Sequence, residues 1–333
     1  MSFTPKLKTL VIASVALAAA AMAAQAEPLN IRVGWSQTPG HMAPLLFQNK
    51  SILKHYGKTY TVDPVRFRGS TAQLQALAAG QLEFAALSAT ALALVINNAG
   101  VDAQVVADVI QDHPPGWSSP FVVLNSSGIK KIEDLKGKRI GTNSIGSAID
   151  TAMRVMLRKN GLNNNDFNTI ETSFGNMVAM LKEGKVDMAP ILPQFWALLD
   201  KSTVTKLFTT RDAVGEQQTV SLVGNKAYIA KNRAALVDFF EDYIRVLHWF
   251  LAPANRDAAL KIVMDVTKAP LNRIDYAFTE DDYFRDLDGK PNIPALKNAI
   301  QVSLDNNILK KGIDVDKHVD LSLIEEARKR IKD

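Results

Sequence analysis

Residues 29–35, Leu-Asn-Ile-Arg-Val-Gly-Trp, alternate apolar and polar positions, which predicts a half-buried strand. Residues 36–41, Ser-Gln-Thr-Pro-Gly-His, are loop chemistry. Residues 44–56 carry Leu45, Leu46, Ile52, Leu53 and Tyr56 at helical spacing. A strand is predicted over residues 60–67. A helix then opens at Gly69-Ser70-Thr71, runs through Ala79 and stops at Gly80. A short strand over 82–87, a helix capped by Ser88-Ala89-Thr90 and a strand over 104–110 follow. This β-α-β-α-β-α-β order predicts a parallel sheet covered by helices on both faces.

The pattern then changes. Residues 113–120 are a Pro/Gly-rich loop, and 121–124 a strand. A second series begins at Lys131. It contains a helix over 149–159, a strand over 168–172, a helix ending at Gly184, a strand end over 186–190 and a short helix over 193–199. Residues 219–223 and 226–230 read as a return strand. From Asn232 the spacing is helical, with Leu236, Phe239, Phe240, Tyr243, Val246, Leu247, Phe250 and Leu251 on one face. Two similar series, an excursion between them and closing helices predict two lobes joined by two crossings.

The first residues change where this fold is expected to work. Lys6 and Lys8 precede an apolar run from Leu10 to Ala24, followed by Ala24-Gln25-Ala26. That is the pattern of a signal peptide spanning residues 1–26, cleaved after Ala26. The run of about 15 residues is short for a spanning helix, which needs roughly 20. The 333-residue chain has no Cys, so neither a lipid-anchored Cys nor a disulfide is expected. The formal charge of +5 falls to +3 without the leader, and its cations are interspersed with acids. No nucleic-acid partner is expected. The mature protein is expected in a periplasm, outside the reach of most ATP- and NAD-dependent chemistry.

Three stretches carry a resemblance. They are Phe67-Arg68-Gly69-Ser70-Thr71-Ala72-Gln73-Leu74-Gln75-Ala76-Leu77-Ala78-Ala79-Gly80-Gln81-Leu82-Glu83-Phe84-Ala85, then Ile132-Glu133-Asp134-Leu135-Lys136-Gly137-Lys138-Arg139-Ile140-Gly141, and Met180-Leu181-Lys182-Glu183-Gly184-Lys185-Val186-Asp187-Met188-Ala189. In this order the chain resembles the periplasmic substrate-binding proteins of ABC importers for sulfonates, taurine and nitrate, a fold shared with thiamine-pyrimidine synthases. Glu83 stands where that family usually has Asp; a carboxylate there can still cap or pair. The resemblance implies an α/β, two-lobe periplasmic-binding-protein fold of type II, with parallel-dominated sheets flanked by helices and two interlobe crossings. It implies a first lobe of residues 27–117 and 223–333 and a second of 118–222. It also implies an importer subunit: a monomer that takes a small-molecule ligand and delivers it to an inner-membrane ABC permease with its ATPase.

In open α/β sheets, ligands sit beyond the carboxyl ends of the strands. Four loops fall there. The first offers Gln37, Pro39, Gly40 and His41, positions the family uses. The second offers Ser88, Ala89 and Thr90, the third Ser144, Ile145, Gly146 and Ser147. The second and third lead into helices, whose N-termini hold anions without Arg or Lys. Their hydroxyls also serve as ordinary helix caps. Trp117, and Phe195 and Trp196 of the fourth loop, are candidates to stack on an aromatic or apolar substrate, with Trp35 a further aromatic. Arg68, before Gly69 and Ser70, is the candidate partner for a carboxylate or sulfonate.

Enzyme signatures are absent. Residues 141–147 read G-x-x-x-x-G-S and lack the Lys of a phosphate loop, and no G-x-S-x-G, H-E-x-x-H or C-x-x-C occurs. The five His residues are scattered, so no metal or cofactor is expected. The alternatives are thiamine-pyrimidine precursor binding or a synthase of the same fold, which the leader and the missing Cys disfavour, and a periplasmic sensor module. The mechanism expected is a clamp that closes about residues 117–123 and 218–223 on a small organic anion.

Overall fold

The computed structural model describes residues 27–331, so the expected leader lies outside the described residues. The first sheet contains β1 (Leu29–Trp35), β2 (Tyr60–Arg66), β3 (Phe84–Leu87), β4 (Ala103–Asp112) and a late strand, β10 (Gln217–Asn225). Its order is β2-β1-β3-β10-β4. Strand β1 is parallel to β2 and β3, whereas β10 runs antiparallel to both β3 and β4.

The second sheet is built from β5 (Pro120–Leu124), β6 (Arg139–Thr142), β7 (Asn168–Glu171), β8 (Ala189–Pro190) and β9 (Val204–Thr209). Strands β6 and β7 are parallel, and β5 lies antiparallel between β8 and β9. A parallel bridge from Ile140 to Met188 joins β6 to β8. The order is therefore β7-β6-β8-β5-β9, the plan of the first sheet repeated. The sheets are mixed because each receives one strand, β5 or β10, directly from a crossing. Strand β10 enters the first sheet at Gln217, which pairs with Asp112, ahead of the expected 222/223 boundary.

The repeated plan has a repeated lock. Glu83, just before β3, accepts from the Arg32 backbone N–H at 2.7 Å and from its Nε at 2.9 Å. Asp187, just before β8, accepts from the backbone N–H and Nε of Arg139 at 2.7 and 3.1 Å. The Glu at position 83 thus does the pairing that Asp does in the second copy.

Both faces of the first sheet are buried, as expected when helices cover them. Adjacent residues face opposite ways. Phe84, Val106 and Leu222 belong to one apolar cluster, and Ala85, Val105 and Val223 to the other. The first cluster packs on Leu236, Phe239, Phe240 and Phe250. The second continues through Leu92 and Ile300 to Phe121, Met153 and Leu181 of the second lobe.

The helices that position the site are α1 (Ala43–Leu46), α2 (Ser70–Ala78), α3 (Ala89–Ala99), α4 (Ala148–Lys159), α5 (Phe174–Lys182), α6 (Pro193–Trp196) and α7 (Thr210–Val214). After β10 come α8 (Lys226–Lys231), α9 (Arg233–Leu251), α10 (Arg256–Thr267), α11 (Ile293–Asp305) and α12 (Ser322–Arg330). No helix among the described residues is long and apolar enough to cross a membrane.

Two predicted elements differ. The helix expected over 44–56 is only α1 and one 3-10 turn at Lys50–Ile52. The buried Asp242 carboxylate accepts the backbone N–H groups of Lys54, His55 and Tyr56 at 2.8, 2.9 and 3.2 Å, replacing the helical acceptors. Residues 226–230, expected to extend the return strand, form α8. There the Asn225 side chain accepts from the Ala227 and Tyr228 N–H groups.

Candidate functional site

The carboxyl ends of both sheets face each other across a chamber that is partly open to solvent. Its first wall is the loop after β1, with Ser36, Gln37, Gly40 and His41, and the start of α2, with Gly69 and Ser70. The second lobe contributes Asn143, Ser147, Ile149, Phe174, Leu192 and Gln194. Asp112, Ser119 and Thr210 come from the crossings, Ile110, Thr219 and Val220 from strands of the first sheet, and Tyr283 from the C-terminal part.

The loop after β1 is held from behind. Arg285, buried and paired with Asp282 at 3.0 Å, donates to the carbonyls of Pro39 at 3.2 Å and Gly40 at 3.0 Å. Burial opposes the guanidinium charge, yet Asp282 more than offsets it and its pKa stays above the ordinary value. His41 is buried beside this cation. Burial first, and Arg285 second, lower its pKa to about 4, so the imidazole is neutral near pH 7.

The crossings are tied together at Asp112. Its carboxylate accepts from Ser118 Oγ at 2.8 Å, from Thr210 Oγ1 and from Arg211 Nε at 2.8 Å. Burial raises its pKa while these donors pull it back. Ser119 Oγ and the Tyr283 hydroxyl lie 2.9 Å apart, and burial keeps that phenol protonated.

Four helices have their first residue on the chamber wall: α2 at Ser70, α4 at Ala148, α5 at Phe174 and α7 at Thr210. Neither Gly69 nor Ser173 caps its helix with a side chain, whereas Ser147 does cap α4. Free N–H groups and the positive ends of α2 and α5 are thus available to an anion. No Lys or Arg lines the chamber. Three of its buried polar atoms have no partner: Gln194 Nε2, Thr219 Oγ1 and His41 Nδ1.

Of the residues singled out from sequence, Gln37, Gly40, His41, Ser70 and Ser147 line this chamber. Pro39 lies behind it, its carbonyl accepting from Arg285. Ser88, Ala89 and Thr90 are buried away from it. Ser88 Oγ donates to the Gly146 carbonyl at 3.1 Å and caps Ala91, and Thr90 pairs with Thr151 at 2.9 Å. Ser144, Ile145 and Gly146 lean on the first lobe directly. Thr71 Oγ1 donates to the Ile145 carbonyl at 2.6 Å, and the Asn143 amide donates to the Arg68 carbonyl at 3.4 Å. The two hydroxyl loops do face each other, but they touch. The Ser88 and Thr90 hydroxyls are spent across this seam, and the Ser147 hydroxyl within its own lobe.

The aromatic and cationic candidates lie further out. Trp117 and Trp196 meet edge to face at 5.9 Å in a separate surface hollow. Phe195 lines an outer hollow next to the chamber together with Trp35. Arg68 lines another opening, with Arg66, Glu171 and Phe174. Sequence reading missed Asp112, Ser119, Asn143, Phe174, Gln194, Thr210, Thr219 and Tyr283. The signals available were Asp112 just before the Pro-rich crossing and Gln194 inside the singled-out Pro193–Trp196 stretch.

Comparison with known proteins gives a consistent picture. A family model described as NMT1/THI5 like matches residues 62–254. A relative named a binding protein in Brucella abortus (strain 2308) is 28% identical over 187 residues, 56% of this chain and 55% of the relative. The match thus spans about half the length of the curated relatives. Among solved structures, the alkanesulfonate-binding protein SsuA from Xanthomonas axonopodis pv. citri bound to MOPS is 18% identical with TM-score 0.68, covering 89% of this chain and 99% of that one. The periplasmic nitrate-binding protein NrtA from Synechocystis PCC 6803 is 16% identical with TM-score 0.68, covering 92% and 90%. The desulfurization enzyme DSZB is 13% identical with TM-score 0.63, covering 91% and 99%. These likenesses show the fold: the two-lobe periplasmic-binding-protein architecture expected from the sequence.

Proposed function

The chain belongs to the NMT1/THI5-like family, and from that premise we propose that it is an extracytoplasmic solute-binding protein of an ABC importer. It captures a small organic anion, a sulfonate or a carboxylate with an apolar body, and delivers it to a membrane permease. The observation that carries this reading is the chamber itself. Both lobes build it, uncapped helix starts and unpartnered neutral donors line it, and Ile110, Ile149, Phe174, Leu192 and Val220 supply its apolar wall. A desolvated anion needs donors, and N–H groups serve without a cation.

Binding rather than turnover is supported by the two titratable groups besides Tyr283 on the lining. Asp112 is bound by three donors, and His41 is a neutral imidazole. The printed names of two structural neighbours, binding proteins for alkanesulfonate and nitrate, agree with this reading, while the desulfurization enzyme DSZB shares the fold. The lobes would part to admit ligand and close on it as drawn here, with the crossings at residues 113–119 and 210–216 as hinges. The protein would act as a monomer in the periplasm.

The test is thermal shift against alkanesulfonates, taurine, nitrate, aromatic carboxylates and pyrimidine precursors, followed by calorimetry on the hits. A ligand at 100 times its Kd should stabilise by about 2.7 kcal/mol. Ligand recovered unchanged after long incubation supports capture; conversion to product would overturn it. If nothing in the panel stabilises the protein, the ligand class proposed here is wrong.

A further inference from the structure

The chamber shares Gln37 and Gln194 with an outer hollow of opposite electrostatics. Three cations line that hollow, Arg66, Lys268 and Arg273, and no acidic residue does. Among the described residues none of the three is in an ion pair. Carboxylates appear only in adjoining hollows, as Glu171, Asp275 and Asp281, and Lys268 also feels Asp265.

Two of the cations are already arranged for planar recognition. The Arg66 guanidinium lies 5.6 Å from the Trp35 ring centre, and that of Arg273 lies 5.8 Å from Phe195. Stacking fixes the plane of a guanidinium while leaving its N–H edges for an oxyanion. The hollow also has unspent donors. Trp35 Nε1, Arg273 Nε and Gln194 Nε2 are each buried without a partner, and Gln194 is only 6% exposed. A buried donor left unpaired is costly unless something arrives to accept from it.

We propose that this outer hollow is a second anion subsite, so that the ligand carries an apolar or aromatic body between two acidic groups. One acid sits in the cation-free chamber on helix N–H groups and neutral donors; the other sits between Arg66, Lys268 and Arg273. Gln194, whose amide borders both spaces, spans the junction. This rests on the capture function proposed above and narrows its substrate class from organic anions to diacids. The cations come from two separate segments, Arg66 from the end of β2 and Lys268 and Arg273 from the stretch that follows α10. A second acid would therefore bridge the end of β2 and the stretch after α10 on the open side of their shared core.

The experiment is calorimetry and stopped-flow binding with matched pairs: benzoate against terephthalate, and ethanesulfonate against ethane-1,2-disulfonate. The diacid of a pair should bind about 10-fold more tightly or better, mostly through slower dissociation. Arg66→Gln, at an exposed position with no ion pair to lose, should remove most of that advantage while leaving the monoacid within about twofold. Arg273→Gln should do the same from the other side, so a folding defect in one variant leaves the other to decide. Equal affinity for both members of each pair would overturn the second subsite and leave the capture function standing. A diacid advantage confined to the association rate would also overturn it, because the hollow would then only steer. Failure of all four acids to bind would overturn this proposal together with the anion class it rests on.

Discussion

His41 is a neutral, buried imidazole whose cost depends on pH. Its native pKa, about 4, lies below the ordinary 6.5, so the folded protein binds fewer protons than the unfolded chain between those values. Stability therefore falls as pH drops through 6.5 toward 4. At ~1.4 kcal/mol per pH unit the loss reaches about 3 kcal/mol. Asp108 works in the opposite sense: burial raises its pKa to about 7, so its native carboxyl keeps a proton that the unfolded one has lost. Only the difference between wild type and His41→Gln isolates the imidazole. Urea unfolding at pH 7 and pH 4.5 should show the variant gaining on wild type at the lower pH; parallel behaviour would mean His41 is not buried neutral. Gln194 makes a second residue-scale case. Its Nε2 is unpaired in the empty protein, whereas its Oε1 accepts from the Tyr276 hydroxyl at 3.3 Å, so Gln194→Leu should cost unliganded stability about 1 kcal/mol. Ligand affinity should fall about 10-fold, as for a lost bond to a charged group. Five of the twenty lining residues, Gln37, Gly40, His41, Ser70 and Ser147, were legible in sequence because they lie in, or at the end of, the loops that follow strands. Tyr283 and Thr219 were not, because only tertiary packing brings them to the same wall.

Elements were legible where their pattern serves one dominant contact. The strand at 29–35 and the helix at 233–251 read correctly since one face of each is buried throughout. Residues 44–56 misled because a distant carboxylate, Asp242, supplied the acceptors a helix would have used. Strand β9 gave no usable signal: at the sheet edge, only Phe208 of its six residues is buried. The Asp112 cluster is likewise invisible in sequence, yet it fastens the end of β4 to the start of α7, where the chain leaves and re-enters the first lobe. Asp112→Asn should cost about 1–3 kcal/mol by weakening three hydrogen bonds at once. Arg211→Gln should cost less, since this side chain is partly exposed. Because both changes act on one network, the double variant should fall short of their sum by at least about 0.5 kcal/mol. Strict additivity in urea unfolding would show that the two residues act independently.

At the scale of the molecule, the repeated strand order was foreshadowed by Gly80-Gln81-Leu82-Glu83 and Gly184-Lys185-Val186-Asp187, whose carboxylates lock equivalent arginines in each lobe. How closely the lobes approach was not foreshadowed, and Gly69 decides it. Its backbone is extended, a conformation any residue adopts, so conformational freedom does not explain a glycine there. Space does. A Cβ at this position would lie 2.7 Å from the Asn143 amide nitrogen and 2.8 Å from Ser144 Cβ, both on the opposite lobe. Gly69→Ala is therefore a wedge one methyl thick, set at the seam where Thr71 bonds Ile145 and Ser88 bonds Gly146. Parting the lobes slightly relieves the clash, so unliganded stability should change by less than about 1 kcal/mol. Ligand that depends on both lobes loses the closed state it selects, and affinity should fall about 10-fold or more. Small-angle scattering gives the matching readout: ligand should compact the wild type and leave the variant open. If Gly69→Ala binds and compacts like the wild type, the contact between these two hydroxyl-rich loops belongs to the resting fold, and closure must be sought elsewhere along the cleft.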